Sequence, residues 1–370
     1  MTRRQVKDVF NLQMGKTPSR KSYEYWTDGT IDWVSIRDLG SYDRYVGPTK
    51  EKITQLAVDE SGIRPAPPNT LIMSFKLSLG KVAITVCPTY TNEAIMAFID
   101  KGRFPIDLDY MYHQFTAKDW TEGTNIAVMG ATLNKKSLAE SWISVPTMEE
   151  QREVARLLDA VVERITEAQD FKNKLDELVK SRFIEMFGDP IENPFGWDTK
   201  PLGELGELKN GVNFKSVDSG TEIRCLGVGD FKDRYQISEM DLISIVSLNG
   251  KPNESQMLRD GDIVFVRSNG NKQLVGRCLA VFPGDEEVTF SGFCIRFRNE
   301  SDGLLLDYLL GCLKSDSMRK AMTGRGANIQ NLSQKILSGV VMPMPPIALQ
   351  QEFAAFVQKV DKLKFDYQNN

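Results

Sequence analysis

EEQREVARLLDAVVERITEAQDFKNKLDELVKSRFIEMF, residues Glu149–Phe187, is the stretch that decides the fold, and it contains neither glycine nor proline. Its apolar side chains recur in alternating steps of four and three residues. This spacing is typical of a helix that packs along a narrow seam. Ile347–Gln368 is a second stretch of the same kind. Because a single apolar stripe needs a partner to bury it, we predict that the two helices pack on each other.

The predicted seam comprises Val154, Leu158, Val161, Ile165, Leu175 and Val179 in the first helix, and Phe353, Phe356, Val360 and Leu363 in the second. The alternative is that each helix packs on its own domain. The first helix would be about 55–60 Å long at 1.5 Å per residue, which exceeds what a small domain covers. Packing of the helices on each other is therefore the better interpretation.

The segments on either side of the first helix are similar in length and carry matching residues. Three glycine pairs lie 196 residues apart, and a proline and a glutamine recur 200 residues apart: Gly15 and Gly211, Gly80 and Gly276, Gly130 and Gly326, Pro146 and Pro346, Gln151 and Gln351. Five matches in the same order indicate an internal duplication. We therefore predict domains at 1–147 and 191–345, a spacer helix at 148–190 and a short helix at 346–370.

Composition excludes several classes of protein. The 370 residues carry a net charge of −4, and the acidic surplus lies in residues 149–190, which have 7 basic and 11 acidic side chains. A single histidine, His113, excludes a histidine-rich metal site. The five cysteines are never closer than sixteen residues, so they indicate buried thiols in a reducing compartment. No apolar stretch approaches about 18 residues, so we expect a cytoplasmic chain without a membrane span.

No catalytic motif is complete. Met14-Gly15-Lys16-Thr17 ends like a phosphate-binding loop, but Phe10 stands where that loop needs glycine. Asn193-Pro194-Phe195-Gly196 has one proline where the motif of amino-methyltransferases has two. A turn explains each of these segments. We therefore expect no active site and no metal site in this chain.

Basic and amide side chains cluster instead in four loops, at residues 16–21, 74–81, 267–273 and 319–331. Arginine, lysine, asparagine and glutamine pair with base edges, and lysine, arginine and serine hold phosphates. One such loop alone is as often a solvated turn as a binding site. The pair at 74–81 and 267–273 occupies similar positions in the two halves of the duplication, which favours DNA binding.

The order of these motifs resembles that of the DNA-specificity subunits of Type I restriction–modification systems over essentially the whole chain. The resemblance rests on Gly29–Leu39, Asn69–Ile84, Ile143–Pro146 with Glu149–Arg152, and the junction Met186–Pro190. It departs from the family in the short C-terminal helix and in residues 216–260, which match nothing recognisable. No single motif carries the assignment, but their order and the duplicated layout do.

The resemblance implies a mixed α+β fold: two duplicated α/β target-recognition domains, separated by long antiparallel coiled-coil helices with pseudo-twofold symmetry. Each domain would read one half of a bipartite site in double-stranded DNA. The chain itself would be non-catalytic and hold no cofactor. It would join two methyltransferase subunits, which methylate adenine with S-adenosylmethionine, and restriction subunits, which cleave DNA with ATP and Mg²⁺, in a system of host defence.

The helices would dock these partners through polar faces of 149–187 that include Glu163, Glu167, Asp170, Lys174 and Glu177. A stand-alone DNA-binding repressor or scaffold is the alternative, and a complete methyltransferase or nuclease is a more distant one. The candidate DNA contacts are Lys16, Ser19, Arg20, Lys21, Arg37, Ser74, Lys76 and Lys81 in the first domain, and Arg267, Ser268, Asn269, Asn271, Lys272, Arg277, Arg325 and Asn328 in the second.

Overall fold

A computed structural model describes residues 3–76, 78–121, 133–215, 217–231, 234–323 and 331–368. The chain forms two compact units, Met1–Thr166 and Glu167–Asn370, and the division falls within the long helix. Each unit contains helices and strands, so the fold is of the mixed α+β class, as predicted.

Unit 1 has nine strands and six helices in its described part, the last helix running on into unit 2. The strands are β1 Arg3–Gln5, β2 Phe10–Met14, β3 Ile31–Val34, β4 Lys52–Ile53, β5 Leu71–Ser74, β6 Val82–Ile84, β7 Tyr90–Thr91, β8 Ile95–Asp100 and β9 Trp142–Ser144. The helices are α1 Val6–Val9, α2 Ile36–Leu39, α3 Gln55–Ser61, α4 Leu108–Ala117, α5 Lys135–Glu140 and α6 Met148–Phe187.

Unit 2 continues with ten strands and four helices in its described part. The strands are β10 Thr199–Pro201, β11 Gly206–Asn210, β12 Thr221–Leu226, β13 Gln236–Ile237, β14 Ile245–Leu248, β15 Asp262–Val266, β16 Cys278–Val281, β17 Val288–Phe290, β18 Cys294–Asn299 and β19 Val341–Pro343. The helices are α7 Leu306–Lys314, α8 Asp316–Thr323, α9 Gln334–Ser338 and α10 Ile347–Gln368.

The two units repeat one topology. Unit 1 has a four-stranded sheet in the order β2-β8-β5-β6, a three-stranded sheet β4-β3-β7, and the pair β1-β9. Unit 2 has β11-β18-β15-β16-β13, the three-stranded sheet β14-β12-β17, and the pair β10-β19. Apart from the added edge strand β13, each strand of one unit has its counterpart in the other. This agreement confirms the predicted duplication.

The main sheet of each unit is buried on both faces, because successive side chains of a strand point to opposite sides. In unit 1, Leu71 and Met73 of β5 pack with Phe115 of α4, while Ile72 packs with Val34 of the second sheet. In unit 2, β15 divides its side chains in the same way between a cluster with α7 and a cluster with β12 and β17. A run of adjacent apolar residues therefore marks each central strand.

Gly15 and Gly211 occupy the same place in the two units, as predicted from their spacing. Each follows the first strand of the main sheet, and a Cβ at either position would overlap two backbone carbonyl oxygens at the end of β7 or β17. Gly80 and Gly276 also match, with φ of +78° and +79° at the end of the β5-β6 and β15-β16 hairpins. Gly130 and Gly326 lie outside the described residues.

The matched glutamine of unit 2 is Gln350, so the predicted pairing of Gln151 with Gln351 is wrong by one residue. Gln151 is fully buried; its side-chain amide donates to the carbonyls of Pro105 and Pro146, and its oxygen accepts the Asp107 N–H, all at 2.9 Å. Gln350, also fully buried, makes the corresponding three bonds with Gly303, Pro345 and Leu305 at 2.9 Å.

The matched proline is accordingly Pro345 and not Pro346. Two adjacent prolines and two adjacent glutamines leave the register ambiguous in the sequence. Only the side chain that reaches the buried carbonyls fixes it.

Helices α6 and α10 are antiparallel where they meet inside unit 2. Arg182 pairs with Glu352 at 2.8 Å, and Phe171 lies 4.4 Å from Tyr367 between ring centroids. The buried side chains of this contact are Leu175, Val179, Phe183, Phe187, Phe353, Val357 and Val360. The long helix thus fits the predicted coiled-coil description over its C-terminal half.

The seam differs from its predicted composition. Val154, Leu158, Val161 and Ile165 are between 39% and 64% exposed. The contacts of α10, Ile347–Gln368, with α6 lie in the C-terminal half of α6, from Phe171 onward. On α10, Leu363 is exposed and Phe356 half-buried, while Val357 takes the inner position. On α6, Phe183 is buried in the same core cluster, although the predicted seam did not include it. The buried positions follow the helix surface that faces the core of unit 2 and not a strict heptad.

Candidate nucleic-acid interface

Four segments of unit 1 come together at one end of its main sheet: the turn after β2, the segment after β3, the β5-β6 hairpin loop and the turn between β7 and β8. Four backbone hydrogen bonds join them: Gly15 N–H to Ile95 carbonyl at 3.0 Å, Lys16 to Thr91 at 2.9 Å, Phe75 to Ala94 at 3.0 Å and Asn92 to Val34 at 3.0 Å. We call this end of the unit its loop end. Its shape is fixed by backbone hydrogen bonds, which do not depend on the identity of the side chains it carries.

Arg37, Lys76 and Lys81 present positive charge at the loop end of unit 1. Arg37 is exposed on α2, and the Lys81 ammonium lies directly against Gly40, which ends the same helix. Lys76, in the hairpin loop, has its ammonium 5.2 Å from the ring centroid of Phe75. Three cations from two segments, α2 and the β5-β6 hairpin loop, thus lie at one end of the sheet, where they can hold phosphates.

Ser74 is fully buried and positions the loop instead of lining its surface. Its hydroxyl donates to the carbonyl of Ser78 and accepts the Lys81 N–H at 3.1 Å. The side chain therefore closes the hairpin that carries Lys76 and Lys81. We predicted Ser74 as a DNA contact, but its buried side chain can only hold the loop in position.

The cluster at 16–21 is largely engaged inside unit 1. The Lys16 ammonium donates to the Ser61 carbonyl at the end of α3. Arg20 forms two hydrogen bonds with Glu51, at 2.6 and 3.0 Å, and its guanidinium stacks 3.7 Å from the Trp26 ring. The hydrogen bond from Arg20 holds the pKa of the Glu51 carboxyl below its usual range.

Ser19 and Lys21 lie in the same exposed turn, where the Ser19 hydroxyl accepts the Lys21 N–H at 3.3 Å. Lys21 is exposed, and its side chain takes no part in the hydrogen bonds that engage the side chains of Lys16, Ser19 and Arg20. The cluster therefore contributes less to a binding surface than its composition indicates.

Unit 2 builds its loop end from the counterparts of the same segments. The corresponding hydrogen bonds are Gly211 N–H to Cys294 carbonyl at 3.3 Å, Val212 to Phe290 at 2.8 Å, Arg267 to Phe293 at 2.8 Å and Ser291 to Leu226 at 2.9 Å. Arg267 and Ser268 thus stand where unit 1 has Phe75 and Lys76. The hairpin loop before the matched glycine is four residues longer in unit 2.

The longer loop concentrates amide and basic side chains. Arg267 donates to the Gly292 carbonyl at 3.4 Å, and Ser268 pairs with Asn331 across an isolated β-bridge. Asn269 and Asn271 each accept a backbone N–H two residues later, at 2.8 and 3.0 Å. These local turns are how asparagine commonly shapes a loop, and they leave the side chains on its surface.

Lys272 is exposed at the start of the short 3₁₀ helix Lys272–Leu274, and Arg277 is half-buried just before β16. The structure therefore brings Arg267, Ser268, Asn269, Asn271, Lys272 and Arg277 to one hairpin. Arg325 and Asn328 lie outside the described residues. Sequence reasoning missed Phe293, an exposed aromatic residue whose carbonyl anchors Arg267.

His113 packs against the spacer helix. Its Nε2 lies 2.7 Å from Asp159 of α6, and Arg44 pairs with the same carboxylate. The hydrogen bond from Arg44 is the main reason that the pKa of Asp159 is lowered. The one imidazole of the chain therefore joins α4 to α6 within unit 1.

The cysteines are mostly structural. Cys225, Cys278, Cys294 and Cys312 are buried, and burial raises the pKa of the Cys278 thiol to about 11 and of Cys225 to about 12. Cys87 is exposed, which corrects the expectation that all five are buried. No group of three or more metal-binding side chains occurs among the described residues. None of the described helices combines the length and the apolar composition needed to cross a membrane.

Residues 1–177 and 194–370 match the family described as the Type I restriction modification DNA specificity domain. The chain is 25% identical over 381 residues to the Type I restriction enzyme MjaIX specificity subunit of Methanocaldococcus jannaschii, covering 96% of this chain and 85% of that one.

The EcoprrI specificity subunit of Escherichia coli is 23% identical over 225 residues, 56% of this chain and 55% of its own length. A solved structure described as the structural basis of complex assembly and conformational transition of the type I R-M system covers 100% of this chain and 93% of that chain. It has a TM-score of 0.54 at 17% identity. That likeness concerns the fold.

Proposed function

This chain belongs to the Type I restriction modification DNA specificity family and is a specificity subunit of that class; on this premise we propose that its two loop ends each read one half of a bipartite site in double-stranded DNA. The observation that carries the proposal is the repeated loop end. The same backbone pairing presents a different set of donors in each unit. A recognition protein with two half-sites needs this combination of a constant frame and variable side chains.

The proposal assigns domains to 1–147 and 191–345, with the spacer helix at 148–190 and the C-terminal helix at 346–370. In unit 1, Arg37, Lys76 and Lys81 hold phosphates. In unit 2, Arg267, Ser268, Asn269, Asn271 and Lys272 lie at base edges, where arginine and asparagine pair bidentately. Arg277 and Lys21 contribute charge at the margins.

The chain selects the site and leaves the chemistry to partners. Two methyltransferase subunits would supply S-adenosylmethionine-dependent adenine methylation, and restriction subunits would supply Mg²⁺ and ATP-dependent cleavage. A subunit that acts on DNA together with these partners would work in the cytoplasm. A stand-alone repressor is the second candidate, and it would bind its site tightly without partners.

The partners are proposed to dock on the spacer helix. Its N-terminal half exposes the apolar stripe Val154, Leu158, Val161 and Ile165. Neighbouring polar candidates such as Glu163, Asp170, Lys174 and Glu177 are also exposed. An apolar stripe with a polar rim is the usual composition of a protein–protein contact.

Co-expression with the cognate methyltransferase, followed by mapping of methylated adenines, tests the proposal. We expect one bipartite motif with both half-sites methylated, whereas the purified chain alone should neither methylate nor cut DNA. Arg267→Ala should relax one base position in one half-site by about 5- to 150-fold. Lys76→Ala should weaken binding to all sequences alike and reduce the salt dependence by about one counterion. Turnover by the chain alone, or an unchanged motif and affinity in both variants, would refute the assignment.

A further inference from the structure

Phe293 is an apolar side chain placed on a polar surface. It lies in the turn between β17 and β18 at the loop end of unit 2, and its ring is 63% exposed. The next residue, Cys294, is fully buried in the core. An exposed phenyl ring gains little burial energy from folding, so packing does not account for its presence here.

The turn itself does not require an aromatic residue, because unit 1 makes the same turn with alanine. The Asn92 side chain accepts the Ala94 N–H at 2.8 Å, and the Ser291 hydroxyl accepts the Phe293 N–H at 3.3 Å. Ala94, the counterpart of Phe293, is 5% exposed. The two turns therefore share their hydrogen bonding, but the side chain at this position is buried in unit 1 and exposed in unit 2.

The backbone around Phe293 is held in place. Its carbonyl accepts N–H groups of both Arg267 and Ser268, at 2.8 and 3.3 Å. The preceding residue, Gly292, donates its N–H to the Val212 carbonyl at 2.6 Å and accepts the Arg267 guanidinium at 3.4 Å. Because the backbone of this turn is already fixed, contact with a partner needs to order only the side chain of Phe293.

Its neighbours are the side chains proposed to read bases. An aromatic face beside arginine and serine matches the composition of surfaces that stack on bases or contact the thymine methyl group. A protein partner at this position would compete with DNA for Arg267. We propose that Phe293 contacts the apolar surface of a nucleobase and determines specificity at one position of the half-site read by unit 2. This inference rests on the proposed DNA-binding function.

The test compares Phe293→Ala, Phe293→Tyr and the control Phe195→Ala in the complex with the cognate methyltransferase, on duplexes of the mapped site. Phe195 is a similarly exposed phenylalanine, at 54%, in the segment between α6 and β10. We expect Phe293→Ala to weaken specific binding by about 5- to 150-fold with unchanged nonspecific binding. The tyrosine and the control variants should bind as the wild type does, and all should unfold at the same denaturant concentration.

Two probes identify the base surface. If the ring contacts a thymine methyl group, uracil at that position reproduces the loss in the wild type and adds nothing in Phe293→Ala. If the ring fills a gap between unstacked bases, 2-aminopurine fluoresces on binding of the wild type and stays dark with the variant.

A loss below about fivefold in specific binding by Phe293→Ala overturns the inference, as does an equal loss on nonspecific DNA. If Arg267→Ala still relaxes the motif in that case, the proposed function stands and only the role of Phe293 falls. If the wild-type complex selects no motif, both fall together.

Discussion

The two units share their backbone plan and differ in what they place on it. Both bury a glutamine against three backbone groups and both close the main sheet with a glycine under the neighbouring turn. Their hairpin loops differ by four residues, and the turn that carries Ala94 in one carries Phe293 in the other. Positions that satisfy buried backbone groups are constrained, whereas positions that face outward are not. The backbone hydrogen bonds of the loop ends are therefore shared by the two units, whereas the side chains that the loop ends present differ.

The two halves of α6 give the largest expected difference, because one carries a buried valine and the other an exposed one. Val179 is 8% exposed in the core of unit 2, and Val161 is 54% exposed. Val179→Asp should lower the free energy of unfolding by about 4 kcal/mol, because it buries an unpaired carboxylate. Val161→Asp should change it by no more than about 0.5 kcal/mol. Denaturant unfolding of the full chain measures both.

The same pair tests partner docking. In co-purification with the methyltransferase subunit, Val161→Asp should reduce assembly although the chain folds normally. Equal destabilisation by the two variants would mean that the N-terminal half of α6 is covered within this chain. Normal assembly of Val161→Asp would remove the stripe from the proposed docking surface.

The buried glutamine tests the register of the repeat. Gln350→Ala removes three hydrogen bonds to buried backbone groups and should cost about 2–3 kcal/mol, since orphaned polar groups keep their desolvation penalty. Gln351→Ala, at the adjacent exposed position, is the matched control and should cost about 0.5 kcal/mol or less. Denaturant unfolding with hydrogen exchange assigns the loss to unit 2. A larger effect at Gln351 would restore the pairing expected from sequence.

Asp159 of α6 contacts Arg44 and His113 within unit 1. We expect its contribution to the free energy of unfolding to be the smallest of those tested. Its pKa is lowered in the folded chain, mainly by the hydrogen bond from Arg44. The stabilisation is therefore present above the ordinary aspartate pKa of about 3.9 and is lost as pH falls through the lower folded pKa. Because the carboxylate is partly exposed, we expect less than about 1 kcal/mol.

Unfolding of the wild type and Asp159→Asn between about pH 6 and pH 3 measures this contribution, and the difference should shrink at the acidic end. In an Arg44→Met background the pH dependence of that difference should largely disappear. A difference that grows as pH falls would contradict the assigned role of Arg44.

The repeat could be predicted from the sequence because the same backbone geometry requires the same residue, such as glycine, at equivalent positions of both units. Gly15 and Gly211 mark a close approach of two strands that admits no Cβ, and apolar runs mark strands buried on both faces. The helices also follow from a local period. Partners of individual side chains do not, because they lie far away in the chain: Arg20 meets Glu51, and Lys16 meets the Ser61 carbonyl. Both were candidate DNA contacts by composition alone.

The sequence by itself therefore determined the duplicated α+β architecture, the two long helices and the family. These rest on periodicity, glycine positions and motif order, which are local or repeated along the chain. Only the tertiary structure decided which part of the helix seam is buried, that Gln350 and not Gln351 matches Gln151, and which polar side chains remain on the loop ends. The physical reason is that burial and hydrogen-bond pairing depend on segments that meet only after folding. Phe293 is the clearest example: only the folded chain shows that it lies beside Arg267 and is exposed, whereas its counterpart Ala94 is buried.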